Sequence, residues 1–299
     1  MNAQVLPAEF AGRVRRDEPM ARHTSWRAGG PAEFWFEPRD ADDLAAFLHG
    51  LPAALPVTWV GLGSNLLVRD GGIRGAVISV HGILTGLERV GDRGVRAEAG
   101  VSCARLARRC VQWQLGPAEF FAGIPGTVGG ALAMNAGAWG GETWPLVDSV
   151  EVIDRSGTRR RRAAGEYRWG YRSITPPVAG EWFLAALFRF EVRADADDAT
   201  IRALLERRRQ TQPVNERTCG SVFRNPPGDH AARLIESAGL KGCRLGGAVV
   251  SPRHANFIVN EGTATAADLE ALLRHVQAVV ERVHGVRLEP EVRILGEAA

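Results

Sequence analysis

Residues 123–130 read Gly-Ile-Pro-Gly-Thr-Val-Gly-Gly, and no other stretch restricts the fold of this chain so strongly. A run so rich in glycine, with a proline inside it, cannot form the interior of a long helix or strand. Where the backbone must pass close to a ligand, glycine removes the Cβ that would stand in the way, and successive N–H groups can form a nest for an anion. A second such run, Gly61-Leu62-Gly63-Ser64-Asn65, follows the strand-like segment Val57 to Val60. Neither run has the Gly-x-Gly-x-x-Gly spacing that opens a helix, and neither has the lysine of a P-loop, so both the doubly wound dinucleotide fold and the P-loop fold are disfavoured. Either run alone is equally a tight turn. Two in one chain, each beside an apolar segment, point to a dinucleotide pyrophosphate held between them.

The chain has 299 residues, room for two or three domains at roughly 150 residues each. No stretch approaches the ~18 uninterrupted apolar residues of a membrane helix. No apolar run follows a basic start at the N-terminus, so a cytoplasmic protein without a signal peptide is expected. A net charge of +3 gives no reason to expect nucleic acid. Cys103, Cys110, Cys219 and Cys243 form no Cys-x-x-Cys pair and have no histidine at ligand spacing, so plain thiols and no metal are expected. Periodicity and capping predict helices over 41–51, from Ser102 onward, 197–209, 231–238 and 266–283, the last with a stripe running from Leu269 to Val283. Strands are predicted over 32–37, 57–60, 76–80, 95–99, 182–192, 248–250, 256–259 and 288–295. A hairpin of 147–154 with 158–164 is read as a solvated arm carrying Arg159 to Arg162, with an anion patch as the alternative. This irregular alternation predicts an α+β fold with more than one sheet.

GLGSNLLV and, about sixty residues on, AGIPGTVGGALAMNAGA resemble the two halves of the FAD-binding domain of vanillyl-alcohol-oxidase/PCMH-type flavoproteins. The further runs YRWGYRSI, GSVFRNP, AARLIESAGLKG, SPRHANFIVN and LEPEVRILG are similar, in order, to those of the UDP-N-acetylenolpyruvoylglucosamine reductase (MurB) family. The segment between Ser173 and Trp182 has no room for the tyrosine-bearing loop of the longer subclass, so the chain resembles the shorter one. The resemblance implies a two-subdomain FAD-binding fold plus a C-terminal α/β substrate-binding domain. Its boundaries would be 1–80, joined by the C-terminal strand 286–299, then 81–193 and 194–285. It also implies a monomer with non-covalent FAD, which NADPH reduces and UDP-N-acetylglucosamine enolpyruvate reoxidises to give UDP-N-acetylmuramate for peptidoglycan synthesis. His81 lies beyond the first loop, but its flanks do not resemble a covalent flavin attachment motif.

Hydride addition to C3 of the enolpyruvyl group leaves carbanion character at C2, so the chemistry needs a cation at the carboxylate and an acid near C2. The resemblance assigns these roles to Arg172, Ser221 and Glu291. Read from the residues alone, Arg172 is a surface arginine and Ser221 a turn or cap serine. Glu289 and Glu291 would share one face of an extended segment, so only the match to the family's Glu-Val-Arg chooses Glu291. The resemblance also gives Gly61, Gly63, Ser64, Asn65, Gly123, Ile124, Gly126, Gly129 and Gly130 to the flavin, and Tyr171, Asn225, Lys241 and His254 to the substrate, with Arg209 a further contact. Lys241 stands out independently as the only lysine among 37 Lys and Arg residues, and an ammonium suits a phosphate as a point charge. Two rival readings are an FAD oxidase with a different substrate cap and a nucleotide-binding module without activity. The first would lack GSVFRNP and EPEVRILG, and the second would show substitutions at Ser221, Arg172 or Glu291.

Overall fold

The structure is a computed structural model and describes residues 6–299. The chain folds into two compact units. The first takes residues up to Arg15 together with Trp35–Leu62 and Ala76–Leu205, and the second takes Arg16–Phe34, Gly63–Gly75 and Glu206–Ala299. Helices and mostly antiparallel sheets alternate irregularly in both, which is the expected α+β class.

The first unit is built on an antiparallel sheet in the order Arg159–Ala163, Val147–Asp154, Glu181–Arg189, Gly94–Glu98, Leu87–Val90. Helix α1 (Ala41–Gly50) starts at Asp40, whose carboxylate accepts from the Asp42 and Asp43 amides. Helix α2 (Cys103–Gln112) starts at Ser102, whose hydroxyl accepts from Arg105 N–H, as the Ser-capped pattern predicts. Its inner face, Cys103, Leu106 and Cys110, joins Val150, Phe121 and Phe188 in one buried cluster. Fully burying such a side chain stabilises by about 1.5–3 kcal/mol. Burial raises the Cys103 thiol to about 12 and pushes Cys110 up as well, so both behave as small hydrophobes. The glycine-rich run holds only a short helix, α3 (Val128–Met134), closed by Asn135 in the left-handed region at φ 46°.

The arginine arm is solvated, as the sequence suggests, and its guanidinium groups are also paired. Asp154 accepts from Ser156 and Thr158 N–H to close the turn. Arg159 pairs with Asp42 at 2.6 Å, Arg160 with Asp154, and Arg162 with Glu181 at 2.7 Å. Guanidinium charge committed to carboxylates leaves no case for an anion patch. The expected strand 182–192 ends earlier, at Arg189. Glu191–Val192 then pairs with Leu115–Gly116 instead, so one apolar run serves two sheets.

Helix α4 (Asp198–Thr211) carries the chain from one unit to the other. In the second unit, α5 (Ala231–Ser237) and α6 (Ala266–His284) pack with the antiparallel strands Arg244–Leu245, Ala248–Val250 and Ile258–Asn260. Thr265 and Asp268 form a reciprocal cap on α6, and the Asp70 carboxylate accepts from the Ala266 and Ala267 amides. Leu269, Leu272, Leu273, Val276 and Val280 are buried, but Val283 is exposed, because the helix outruns its core by one turn. The strand expected at 256–259 begins at Ile258, since Asn256 bonds outside the sheet. The strand expected over 288–295 shrinks to Arg293–Leu295, parallel to Leu66–Val68. Residues 289–292 bond instead to the loop at 222–224.

Glu270 on α6 is held by Arg69 at 2.8 Å and also by Arg274, which lowers its carboxyl to about 2. A depressed carboxyl contributes stability that is fully present above its unfolded value, near 4.5, and that is lost as pH falls through the folded value. The thermal midpoint of the wild type is therefore expected to drop between about pH 4.5 and 2. The drop should be shallower in Glu270→Gln, and equal slopes in the two proteins would remove Glu270 from the account.

Candidate active site

In the first unit, Tyr171 and Arg172 form the tip of a hairpin, Arg168–Gly170 against Ser173–Thr175. Arg172 adopts φ 53°, a conformation rare outside glycine that persists only where the surroundings enforce it. Its guanidinium donates to Gly137 O at 2.7 Å and to Asn135 O at 3.5 Å, and it lies 5.0 Å from the ring centre of the exposed Tyr171. Asn135 does much of the enforcing. Its side chain accepts from Trp144 N–H at 3.0 Å and donates to Gly170 O at 2.9 Å, tying the hairpin to the end of α3. A guanidinium is planar and always charged, so it can hold a carboxylate through two parallel bonds, and this one is half-buried.

In the second unit, Ser221 is half-buried and follows Gly220 at φ 84°. Glu291 N–H donates to Val222 O at 2.7 Å, and Arg224 N–H to Glu289 O at 2.9 Å, so the Ser221 loop and the Glu289–Val292 segment run bonded side by side. Glu289 and Glu291, which periodicity could not separate, differ here. Glu289 points outward and pairs with Arg224 at 3.5 Å, while Glu291 is half-buried beside the Ser221 loop. Burial first and the Glu291 charge second push the Cys219 thiol well up, away from the thiolate that a nucleophile needs.

Five other sequence-predicted residues of this unit also have partners within it. Asn65 donates to Glu291 O at 3.0 Å, and its own carbonyl accepts from Arg293 N–H. Asn225 is exposed, and its side-chain oxygen accepts from Ala231 N–H at 3.1 Å, at the start of α5. Lys241 donates to Glu236 at 2.7 Å. His254 packs edge-on to Phe257, and its Nδ1 accepts from Asn256 N–H at 3.3 Å. Burial, then the Lys241 ammonium, lowers the His254 imidazole, in the direction of the neutral form whose Nδ1 can accept this bond. Arg209 faces solvent and lies 3.6 Å from Glu206.

The glycine run 123–130 is close-packed more than it is an open nest. The N–H groups of Ile124, Gly126, Val128 and Gly129 all donate to protein carbonyls, so the expected row of amides open to an anion is not present at these four positions. Val128 and Gly129 N–H donate to Val101 O and Ala99 O, Ile124 N–H donates to Phe121 O, and Gly126 N–H donates to Ile124 O. What glycine supplies is approach. A Cβ on Gly129 would lie 2.9 Å from Ala99 Cβ, and one on Gly123 2.6 Å from the Trp139 ring. A Cβ on Gly61 would lie 2.8 Å from Thr127 Oγ1. That hydroxyl is 1% exposed and has no hydrogen-bond partner among the described residues. An unpaired buried hydroxyl costs about 1–3 kcal/mol, so it suits a group that brings a partner from outside the chain. Ser64 and Gly130 lie on these runs, Ser64 half-buried and Gly130 exposed.

Sequence reasoning singled out neither Thr127, Asn135 nor Asn256. Only Asn135 offered a local signal, an asparagine placed to end a helix in the left-handed region. Among the described residues, no group of three His, Cys, Asp or Glu could hold a metal ion. None of the described helices is long and apolar enough to cross a membrane.

The sequence matches two family descriptions, "FAD binding domain" over residues 32–162 and "UDP-N-acetylenolpyruvoylglucosamine reductase, C-terminal domain" over residues 212–295. It is 60% identical to the UDP-N-acetylenolpyruvoylglucosamine reductase of Alkalilimnicola ehrlichii over 96% of each chain. It is 56% identical to that of Methylococcus capsulatus over 94% of this chain and 92% of the relative. The crystal structure of the Thermus caldophilus enzyme (MurB) superposes with a TM-score of 0.80 at 33% identity, covering 95% of this chain and 99% of that one.

Proposed function

The chain belongs to the UDP-N-acetylenolpyruvoylglucosamine reductase family, and from that premise we propose that it reduces UDP-N-acetylglucosamine enolpyruvate to UDP-N-acetylmuramate with NADPH as the electron source. It is an oxidoreductase with an FAD-binding domain. The observation that carries the finer reading is the Ser221 loop, bonded along Glu291 in one unit, together with a carbonyl-steered arginine in the other.

Thr127 suits FAD, because a buried hydroxyl without a partner among the described residues can bond to a group seated against it, and Gly61, Gly123 and Gly129 are proposed to lie along the same cofactor. Gly63, Ser64, Asn65, Ile124, Gly126 and Gly130 complete the proposed cofactor set. Bound non-covalently by these residues, FAD would supply the two-electron chemistry that links NADPH to C3 of the enolpyruvyl group. Arg172 holds the substrate carboxylate, where negative charge grows as hydride arrives. Ser221 gives its proton to C2, so that one hydride and one proton are added across the double bond. Glu291, half-buried beside that loop, supports the serine and the developing enolate. Tyr171, Asn225, Lys241 and His254 bind the sugar nucleotide, with Lys241 as a point charge for its diphosphate. The protein is taken to act as a monomer in the cytoplasm.

The test is a visible spectrum recorded without oxygen. A flavin band should bleach on adding NADPH and return only on adding the enolpyruvyl sugar nucleotide. A band that bleaches but does not return would keep the flavin domain and discard the substrate. No flavin, even after FAD is supplied, would discard the reading.

A further inference from the structure

Ser221 can protonate carbon only if its loop is held still, and two residues after it the loop meets a buried asparagine on a distant stretch of chain. Asn256 is 3% exposed. Its Oδ1 accepts from Phe223 N–H at 3.0 Å, and its Nδ2 donates to Phe223 O at 2.8 Å. Its main-chain carbonyl accepts from Val222 N–H at 2.9 Å. Three bonds from one residue therefore fix Val222 and Phe223. On the opposite side, Val222 O accepts from Glu291 N–H at 2.7 Å. The loop is thus gripped between Asn256 and the segment that carries Glu291.

The side-chain bonds are specific to an amide. A carboxamide matches a peptide unit donor to acceptor, whereas a carboxylate can only accept and alanine can do neither. An asparagine that served burial alone would be a poor choice, since a buried amide must find partners and an apolar residue need not. We infer that Asn256 is a positioning residue: by clamping the peptide groups of Phe223 it sets the place of the Ser221 hydroxyl relative to Glu291. This rests on the proposed role of Ser221 as proton donor.

Three variants test the inference against that role. Asn256→Ala should slow flavin reoxidation by the enolpyruvyl substrate on the order of 10²-fold, the scale of a misplaced reacting group. Flavin reduction by NADPH should change less than about twofold, and the loss should fall on kcat and not on KM. Amide hydrogen exchange of residues 221–224 should rise in parallel, a readout that needs no turnover. Asn256→Asp is isosteric, keeps the bond from Phe223 N–H and loses the one to Phe223 O, so it should lie between wild type and alanine. It also keeps the test available if the alanine variant does not fold. The structural control is Asn260→Ala. Asn260 is equally buried in the same unit, but its side chain bonds Trp26, Gly262 and Ala264. If Asn260→Ala slows reoxidation as much as Asn256→Ala, or if both half-reactions slow together, Asn256 is merely structural and the inference fails. Ser221→Ala is the benchmark. If it slows reoxidation while the Asn256 variants do not, only this inference falls. If it does not, the proposed role of Ser221 falls and takes the inference with it.

Discussion

Ser221→Ala is expected to leave reduction of the bound flavin by NADPH within about twofold and to slow its reoxidation by the enolpyruvyl sugar nucleotide by about 10²–10⁴-fold, the usual contribution of a positioned general acid. The asymmetry follows from the chemistry. Only the second half-reaction leaves carbanion character at C2, and only there must a proton be delivered. Folding should be little affected, because the serine is half-buried and the loop is held through the peptide groups of Val222 and Phe223. Stopped-flow absorbance would follow each half-reaction separately. Equal slowing of both would remove Ser221 from the proton-transfer step. A normal reoxidation rate with solvent-derived hydrogen still arriving at C2 would mean that another group delivers the proton.

Gly63→Ala should be the most damaging single methyl in the second unit. Gly63 sits at φ +71°, and an added Cβ would lie 1.8 Å from His23 O, a backbone atom that cannot swing away. The left-handed conformation alone costs a non-glycine residue about 1–2 kcal/mol. Separating the two backbone segments adds to that, and the bond from Ser25 N–H to Gly63 O, 3.2 Å long, would be disturbed. A total of about 3 kcal/mol or more would lower the thermal midpoint by on the order of 10 °C in a chain of this size. Gly239→Ala supplies the comparison, since Gly239 has a similar φ of +74° and nothing within 4 Å of the added Cβ. It should cost only the conformational part. If the two variants melt together, the contact with His23 is not what demands glycine at position 63. Gly63 also lies on the run proposed to hold the flavin, so its variant should retain less FAD through purification, measured as flavin per protein, while Gly239→Ala should retain the wild-type amount.

Much of this protein was legible in its sequence, because many of its constraints are local. Glycine at 61, 63, 123 and 129 marks places where a Cβ has no room, and that need is written at the position itself. Helices α2 and α6 announce themselves through Ser102, Thr265 and a stripe of apolar residues at helical spacing, since capping and amphipathicity act within a few residues. The order of the motifs identified the family, and the relatives at 60% and 56% identity bear that out.

Tertiary structure decided what depends on distant backbone. The apolar run 182–192 changes partner at Phe190, because which sheet accepts a strand is settled by the neighbour that arrives and not by the strand. Arg172 is aimed by carbonyls 37 and 35 residues earlier, and Phe223 is clamped by an asparagine 33 residues later. Glu289 and Glu291 are told apart by the loop that lies beside them. A peptide carbonyl or N–H is the same group at almost every residue, so a bond to one leaves no mark in the sequence of its partner. The sequence therefore determined which residues the chemistry draws on, and the fold determined how they are held.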